Sequence, residues 1–488
     1  MKKQFVIISI LFLVVSVQIL SCKKFLELDP PYAQDAENYF QNESDFQLAL
    51  IGAYDLLQSS FLSVWIGEIA SDNTIAGGES VTDTEGLHQI DDMNHGAVNI
   101  ELRNVFRWNY AGITRTNFIL ENKDNIDFPS KQDVLAQTRF LRAFYYFELV
   151  KFFGDVPMVL DERLGVDQVQ QLQRSPVSDV YAQIEQDLIF ASSILEPTST
   201  IKGKATKGAA LALLGKAYLY QQKWSDAVST FDQIINNGWY SLIPDYADLF
   251  TVANENHAET VFDVQYSGLE GGGYGCLVCL EGNAGPGFQG IRQYNGPVYG
   301  DGNSYNLPTQ DLFDFFPSND PRKGFTILDI DAFIAAQPNP QNITYAIGAG
   351  GHTGYYNNKY IKRQGEIGLN DNDLTSPVNY RVIRYADVLL MAAEAHFQNG
   401  NSSTAEQYLN LVRQRAGVGV LSGISLEDIY RERRLELSCE GHRFFDLVRT
   451  GQAANKIDDF VSGTHELFPI PQLEIDLAGG NWSQNPGY

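Results

Sequence analysis

The sequence predicts a mainly α-helical protein, in which a scaffold of helical-hairpin repeats carries a long irregular insertion and a few short strands. Three observations predict this class. Apolar residues recur every three or four positions, one hairpin pattern occurs twice, and glycine is concentrated between its two copies. With 488 residues, of which 44% are hydrophobic and 19% charged, the chain can bury a large core and is not compositionally disordered.

The N-terminus has the features of a secretory signal. A basic start, Met1 to Lys3, precedes an apolar run from Phe5 to Leu20. The four residues 19–22, Ile-Leu-Ser-Cys, resemble a bacterial lipobox, so we expect residues 1–21 to be removed and Cys22 to be lipidated. The alternative is an ordinary signal peptide followed by an incidental cysteine. No second apolar stretch approaches the roughly 20 residues of a membrane helix, so we expect the lipid to attach the protein to the membrane.

The charge of the chain excludes one class of partner. The chain carries 60 acidic and 35 basic residues, a formal net charge of −25. Because proteins that bind nucleic acid through its phosphates need an excess of Lys and Arg, we expect no nucleic-acid partner. Removal of residues 1–21 deletes two lysines and leaves about −27, which favours neutral ligands over polyanionic ones.

Helices are predicted along most of the chain. Ser175 and Pro176 form a cap and a first helical position, and an apolar stripe runs from Tyr181 to Leu195 at alternating spacings of three and four. Another helix follows Ser130, which with Asp133 resembles a capping box. Its end is predicted at residues 154–157, where glycine and proline occur.

The repeat pattern is that of helical hairpins. The first copy matches the tetratricopeptide spacing of large, Gly, Tyr, Ala, Phe and aliphatic residues at Leu214, Gly215, Tyr218, Ala227, Phe231 and Ile234. The small residues allow two helices to approach closely, and the aromatic residues fill the groove between them. A weaker second copy comprises Ala392, Ala393, Ala405, Leu409 and Val412, with His396 in place of the tyrosine. A generic helical hairpin is the alternative for either copy alone.

Between the copies the composition changes. Residues 265–300 contain 11 glycines among 36 residues, too many for regular helix. Residues 261–266 alternate like a short strand. We therefore predict an irregular, ligand-facing insertion at about residues 265–380, within a chain divided into the signal, 1–21, an N-terminal helical region, 22–260, and a C-terminal region, 261–488.

Several motifs together resemble the SusD/RagB family of outer-membrane nutrient-uptake lipoproteins of Bacteroidota. The most specific are Arg431–Leu437 and Glu440–Gly451. The others, in chain order, are Phe140–Ala143, Phe153–Pro157, Arg384–Asp387, Ala393–Ala395, Leu467–Pro471 and Gln484–Tyr488. The resemblance extends from Cys22 to Tyr488.

This resemblance implies a function. Proteins of the family bind oligosaccharides, and sometimes peptides, as the lid of a SusC-like TonB-dependent barrel transporter, and they are not enzymes. It also implies an outer-membrane protein, anchored by lipid and facing the cell surface. Two alternatives from the residues stay open: a tetratricopeptide scaffold that binds only protein, and a surface glycoside hydrolase, which needs two facing carboxylates.

Motifs for catalysis or cofactors are weak. Residues 285–290 match G-x-G-x-x-G, but no helix follows as dinucleotide binding requires, so we interpret them as loop. Cys276 and Cys279 form a lone C-x-x-C, free or joined by a strained disulfide. Residues 301–305 and 371–373 offer oxygen ligands for a structural calcium, but neither completes a motif, and we expect no cofactor. The arginine and carboxylate cluster in residues 433–449 is interpreted as structural ion pairs.

Aromatic residues give the best indication of a ligand site. Sugars have apolar C–H faces and a ring of hydroxyls, which suit an aromatic platform flanked by polar side chains. The candidates, from the insertion and from a polar stretch at 77–97, are His88, Asp92, Asn94, Tyr274, Phe288, Tyr294 and Tyr299. For each tyrosine, packing within the loop is an equally good explanation. Trp65 and Trp108 lie in helical stretches and are assigned to the core.

Overall fold

The computed structural model describes residues 39–160, 162–269, 281–366 and 375–488. Outside these residues lie Cys22, Tyr274, the Cys276 and Cys279 pair, and Asp371–Asp373, so the roles that the sequence indicates for them stay predictions. The N-terminal helices are α1 Glu43–Asp55, α2 Phe61–Ile69, α3 Glu85–Asp91, α4 Ile100–Glu121, α5 Lys131–Phe153, α6 Val166–Val169, α7 Val177–Ile194, α8 Lys207–Tyr220 and α9 Trp224–Asn237. The later helices are α10 Gly285–Phe288, α11 Gln310–Phe315, α12 Arg322–Thr326, α13 Ile330–Ala335, α14 Tyr385–Gln398, α15 Ser402–Arg415, α16 Leu426–Leu437, α17 Arg443–Arg449 and α18 Gln472–Leu477.

The strands are short and form two-stranded pairs among the described residues. They are β1 Thr74–Gly77, β2 Val156–Pro157, β3 Arg174–Ser175, β4 Thr260–Val264, β5 Ile291–Arg292, β6 Asp301–Gly302, β7 Tyr305–Pro308, β8 Ile327–Asp329, β9 Tyr355–Asn357 and β10 Tyr380–Arg384. The antiparallel pairs are β1 with β7, β2 with β3, β4 with β10, and β8 with β9, while β5 and β6 are parallel. The mainly helical class is therefore confirmed, and the strand predicted at 261–266 is present as β4, which starts one residue earlier and ends at Val264.

The helices pack in series, each against its neighbours in the chain. Helix α5 lies between α4 and α7, α7 packs on α8, and α8 pairs with α9 as the first predicted hairpin. Helices α14 and α15 form the second hairpin, and α14 also contacts α9, which joins the two copies. At Gly215 a Cβ atom would lie 2.4 Å from the Phe231 ring, so the predicted close approach of α8 and α9 is confirmed.

Two predicted helix starts differ in detail. Ser130 does not cap α5, because its hydroxyl donates to Glu43 Oε1 at 2.5 Å, so the capping box was wrong. Helix α7 begins at Val177, one residue later than predicted, and Pro176 is its N-cap residue. The Val177 N–H donates instead to the Asp155 carboxylate at 2.9 Å, so a distant side chain replaces the local cap.

The insertion is less irregular than predicted. Its described part forms short helices and strands around a small core that includes Ile291, Leu307 and Tyr356. Residues 285–288, interpreted as loop, form a single helical turn, α10. The run Glu43–Ile69 is the one described stretch long and apolar enough to cross a membrane, but 56% of its apolar window is buried in the body, as in a core helix.

Candidate functional site

A cavity of about 370 Å³ lies where α2 and α4 meet the insertion. Five aromatic rings line it, from α2, α4, α10 and β7: Phe61, Trp65, Trp108, Phe288 and Tyr305. Its polar lining comes from Glu79, Asp83, Thr84, Glu101, Arg292 and Asn303. The volume and the mixture of aromatic and polar side chains fall in the range of small-ligand sites.

The aromatic rings contact one another around Trp65. Tyr305 stacks on Trp65 with a centroid distance of 5.9 Å and an interplanar angle of 20°. Phe288 and Phe61 meet the indole edge to face, at 5.2 and 5.3 Å. Four of the five rings are mostly covered by protein, and Phe288 is half-buried. The rings therefore form a rigid floor and wall, with Phe288 the more accessible of them.

The pairing of β1 with β7 brings the two polar walls together. Gly77 lies opposite Tyr305 in this ladder, and the Gly78 N–H donates to the Ser304 carbonyl at 2.7 Å. A Cβ at Gly78 would lie 2.5 Å from the Tyr305 ring, and Gly78 has a φ of +84°. Glycine is required at position 78 for two reasons: it adopts the left-handed backbone conformation without strain, and it leaves room for the Tyr305 ring.

The polar groups at the rim are organised by short contacts. The Tyr305 hydroxyl donates to Asp83 Oδ2 at 2.5 Å, so the Thr84 hydroxyl, 3.1 Å away, serves as donor to Tyr305. Arg292 Nη2 lies 2.9 Å from Glu79 Oε2. Burial raises the pKa of the third carboxyl, Glu101. The rim carries three carboxyl groups and a single guanidinium among the described lining residues.

A glycine-rich strap, defined as residues 348–351, closes on the loop at 77–80. The Ala349 N–H donates to the Glu79 carbonyl at 2.7 Å. A Cβ at Gly348 would lie 2.0 Å from the Gly78 carbonyl oxygen, and one at Gly350 would lie 2.2 Å from that of Gly77. The strap therefore fixes the loop that supplies Glu79 and Asp83 to the cavity.

The structure brings one of the predicted site residues, Phe288, into this cavity. His88 is half-buried on α3, and Asp92 and Asn94 are exposed just beyond that helix, outside the lining. Tyr294 and Tyr299 are 7% and 6% exposed and pack in the small core of the insertion, where their ring centroids lie 6.3 Å apart. Tyr274 lies outside the described residues. The role of these residues in binding stays a prediction.

Sequence reasoning missed Phe61, Trp65 and Trp108 as lining residues. The assignment of both tryptophans to the core is confirmed, since they are 5% and 7% exposed, but the same rings border the cavity. A signal was present: Phe61 and Trp65 are four residues apart, so they share one face of a helix, next to the polar stretch at 77–97.

The charged cluster in residues 433–449 is structural, as predicted. Arg449 forms a bidentate pair with Glu394 on α14, with N–O distances of 2.6 and 2.9 Å. Arg433 bridges Asp387 on α14 to Asp446, at 2.8 and 3.1 Å. These pairs join α16 and α17 to the second repeat. Among the described residues no group of three or more His, Cys, Asp or Glu side chains is placed to hold a metal ion.

A helical-repeat scaffold with an aromatic cavity is the architecture of a binding protein, and comparison with known proteins gives the family. The chain matches the family model described as the SusD family over residues 221–462. It matches a second one, described as starch-binding and associating with the outer membrane, over residues 24–219. The chain belongs to the SusD family.

Individual relatives agree with this assignment. A solved laminarin-binding SusD-like protein is 33% identical, with a TM-score of 0.85 over 92% of this chain and 100% of its own. Surface glycan-binding protein A from Bacteroides thetaiotaomicron, solved with laminarihexaose, is 27% identical, with a TM-score of 0.82 over 91% and 99% of the two chains. A SusD-like protein of Formosa agariphila is 26% identical over 98% of this chain and 97% of its own.

Proposed function

We propose that this protein is a lipid-anchored, surface-facing binding protein that captures oligosaccharides and acts as the lid of a SusC-like TonB-dependent transporter. The observation that carries the proposal is the cavity around Trp65, where aromatic rings and hydrogen-bonding groups converge. Sugar rings offer apolar faces to the former and hydroxyls to the latter. Two similar solved proteins, described as laminarin-binding and as complexed with laminarihexaose, support a glycan as the ligand.

The electrostatics of the cavity favour neutral oligosaccharides. Glu79, Asp83 and Glu101 face it, and the lone guanidinium of Arg292 is paired with Glu79. A sulfated or uronic-acid chain would bring further negative charge to this rim and to a chain of net charge −25. We therefore expect polyanionic glycans to compete poorly, and most poorly at low ionic strength, where repulsion is least screened.

Trp65 has a second feature relevant to binding. Its Nε1 is buried and has no hydrogen-bond partner among the described residues. Buried polar groups are generally satisfied by protein, water or ligand. The indole N–H is therefore an unmet donor in the floor of the cavity, and Trp65→Phe tests its contribution because that change keeps an aromatic ring and removes the N–H.

Calorimetry against a panel of neutral β- and α-glucan oligosaccharides, sulfated oligosaccharides and peptides tests the proposal. A single lost ring contact of about 0.5–1.5 kcal/mol weakens affinity by roughly 2- to 12-fold. We expect a loss in that range or above for Trp65→Ala and Phe288→Ala, whereas Trp224→Ala, on helix α9 and outside the cavity lining, is the control. Binding of peptides but no glycan would favour the tetratricopeptide-scaffold alternative, and glycan turnover would favour the hydrolase.

The transporter and the anchor need separate tests. Affinity purification of the native protein from a gently solubilised envelope should recover a TonB-dependent barrel, and absence of any barrel would contradict the lid role. Cys22→Ser should release the protein from the membrane fraction and abolish incorporation of labelled fatty acid. Protease accessibility on intact cells checks whether the body faces outward.

A further inference from the structure

The arginine that lines the cavity around Trp65 is paired differently from the arginines of the structural cluster. The Arg292 side chain is 17% exposed, and the side chain of Glu79, its ion-pair partner among the described residues, is 64% exposed. In the structural cluster, by contrast, Arg449 pairs with Glu394, whose side chain is 1% exposed. Because an ion pair with an exposed partner is weak, water or a ligand can take the place of Glu79 on Arg292.

The backbone around Arg292 is held on both sides. The Arg292 N–H donates to the Ser304 hydroxyl at 3.1 Å, and the Arg292 carbonyl accepts the Ala346 N–H at 2.8 Å. Arg292 also lies opposite Gly302 in the parallel pair of β5 with β6. The guanidinium therefore extends from a fixed base, as a group that recognises a ligand must.

The guanidinium has more donors than Glu79 uses. An arginine side chain presents several N–H donors in a planar fork, and Arg292 Nη2 lies 2.9 Å from Glu79 Oε2. Buried side-chain nitrogens without a hydrogen-bond partner occur among the described residues, but none of them belongs to Arg292. The donors that Glu79 leaves free are therefore open to solvent. A planar guanidinium can bind a carboxylate through two parallel hydrogen bonds.

Glu79 is fixed through its backbone, whereas its carboxylate is free to move. The Ala349 N–H donates to the Glu79 carbonyl at 2.7 Å, and the Gly78 N–H donates to the Ser304 carbonyl at the same distance. The side chain extends from this fixed loop to Arg292 and stays mostly in water. A rotation of the side chain alone would thus release the guanidinium and leave the loop unchanged.

Two other carboxyl groups determine what an acidic ligand would meet. Asp83 and Glu101 line the same cavity, so three carboxyl groups with Glu79 face one guanidinium. An acidic sugar would have to displace Glu79 from Arg292 and add a further negative charge beside all three. Removing the charge of Glu79 helps such a ligand in two ways, because it frees the guanidinium and leaves two carboxyl groups in place of three.

We propose that Glu79 determines the specificity of this cavity by occupying Arg292, so that neutral oligosaccharides are accepted and chains that carry uronic acid are rejected. This inference rests on the proposed function, since it assigns a role within the same glycan site. Glu79 acts through Arg292 and is therefore a positioning residue. Glu79→Gln should convert the cavity into a site where the carboxylate of a uronic acid pairs with Arg292.

Calorimetry with matched neutral and acidic ligands tests the proposal. The probes are laminarihexaose and maltohexaose, each as the neutral chain and after oxidation of its terminal glucose at C6 to the uronate. The ratio of acidic to neutral affinity should rise about tenfold or more in Glu79→Gln. Glu79→Asp keeps the charge and should retain the preference of the wild type. Glu85→Gln is the matched control, because it removes an exposed charge outside the lining, and its ratio should change less than about twofold.

The double variant Glu79→Gln with Arg292→Gln tests whether Arg292 carries the effect. The gain for the acidic ligand should disappear in it, whereas a gain that persists would show repulsion by Glu79 alone and would overturn the proposal. An unchanged ratio in Glu79→Gln, with the neutral chain still bound, would overturn this inference and leave the proposed function standing. Absence of binding of any neutral oligosaccharide to the wild type would overturn both.

Discussion

The Tyr305 hydroxyl donates to Asp83 Oδ2 at 2.5 Å, which ties strand β7 to the loop at 77–84 at the rim of the cavity around Trp65. The same ring stacks on Trp65, so one side chain couples the polar rim to the aromatic floor. The hydrogen bond is charge-assisted, and bonds of this type are short and stronger than neutral ones. The shape of the cavity depends on this contact.

Tyr305→Phe should weaken oligosaccharide binding several-fold, and Tyr305→Ala should weaken it more than tenfold. The first change leaves Asp83 without its donor, and the second also removes the stacked ring. Calorimetry with the best ligand of the panel gives both values. Tyr408→Phe, on α15, is the control, because its hydroxyl also donates to an aspartate, Asp232 Oδ1 at 3.0 Å, and lies outside the cavity. Equal loss in Tyr408→Phe and Tyr305→Phe would contradict this account.

Gly348→Ala should impair ligand binding although residue 348 does not line the cavity. The new Cβ would lie 2.0 Å from the Gly78 carbonyl oxygen, so the loop at 77–80 must move and take Glu79 and Asp83 with it. We expect at least a fivefold loss of affinity with cooperative unfolding retained. Gly324→Ala, where a Cβ meets nothing within 4 Å, should bind normally. Normal binding by Gly348→Ala would show that the strap does not position the loop.

Two glycine-to-alanine changes in helices should have opposite effects on stability. Gly215→Ala places a Cβ 2.4 Å from the buried Phe231 ring, so α8 and α9 must separate, at a cost of about 1–3 kcal/mol. Gly52→Ala, in α1, meets nothing within 4 Å and should stabilise by about 0.5–1 kcal/mol through helix propensity. Denaturant titration measures both, and a stabilised Gly215→Ala would refute the close-approach role of this residue.

Glu436→Gln should destabilise the protein strongly at neutral pH. Burial raises the pKa of Glu436, but Arg415, Arg384 and Arg322 outweigh it and hold the pKa at about 2. Removing one charge from such a buried network costs roughly 3–5 kcal/mol, because the guanidinium groups stay buried. Glu427→Gln, an exposed position of the same helix α16, should change little.

The same group makes part of the stability pH-dependent. Its folded pKa lies below the unfolded value of 4.5, so its contribution is complete above about pH 4.5 and is lost as the pH falls towards 2. Thermal melts of the wild type should show this loss over that interval. The difference between the wild type and Glu436→Gln should shrink as the pH falls, and a constant difference would contradict the assignment.

The contribution of Asp91 to stability should change with pH in the opposite sense, and Asp91→Asn should remove that change. Burial, with a smaller effect of Asp92, raises the pKa of Asp91 to about 7, even though its Oδ2 accepts the Ala76 N–H at 2.8 Å. Its contribution to stability is therefore present below pH 3.8 and is lost as the pH rises through 7. An amide keeps the acceptor and does not ionise, so the variant should melt higher than the wild type at pH 8 and equally at pH 4. Asp458→Asn, an exposed site, should show no such crossover.

The sequence predicted the scaffold well because the scaffold depends on local spacing. The Gly215 and Ala227 positions of the first hairpin, and the strand at β4, follow from periodicity and small-residue placement, which short-range physics determines. The helix start at α7 was misplaced by one residue because its cap, Asp155, comes from 22 residues earlier in the chain. The prediction of a capping box at Ser130 was wrong because the Ser130 hydroxyl donates a hydrogen bond to the side chain of Glu43 on α1.

By itself, the sequence determined the helical-repeat class, the structural role of the arginine and carboxylate cluster, and the resemblance that gives the family. Only the tertiary structure decided the site. Trp65 on α2, Trp108 on α4 and Tyr305 on β7 are far apart in the chain, and neither helix periodicity nor strand alternation indicates that their rings share a cavity. The antiparallel pairing of β1 with β7 holds Tyr305 against Trp65, while contact between α2 and α4 adds Trp108. The strand pairing in turn depends on glycines whose neighbours are distant in sequence.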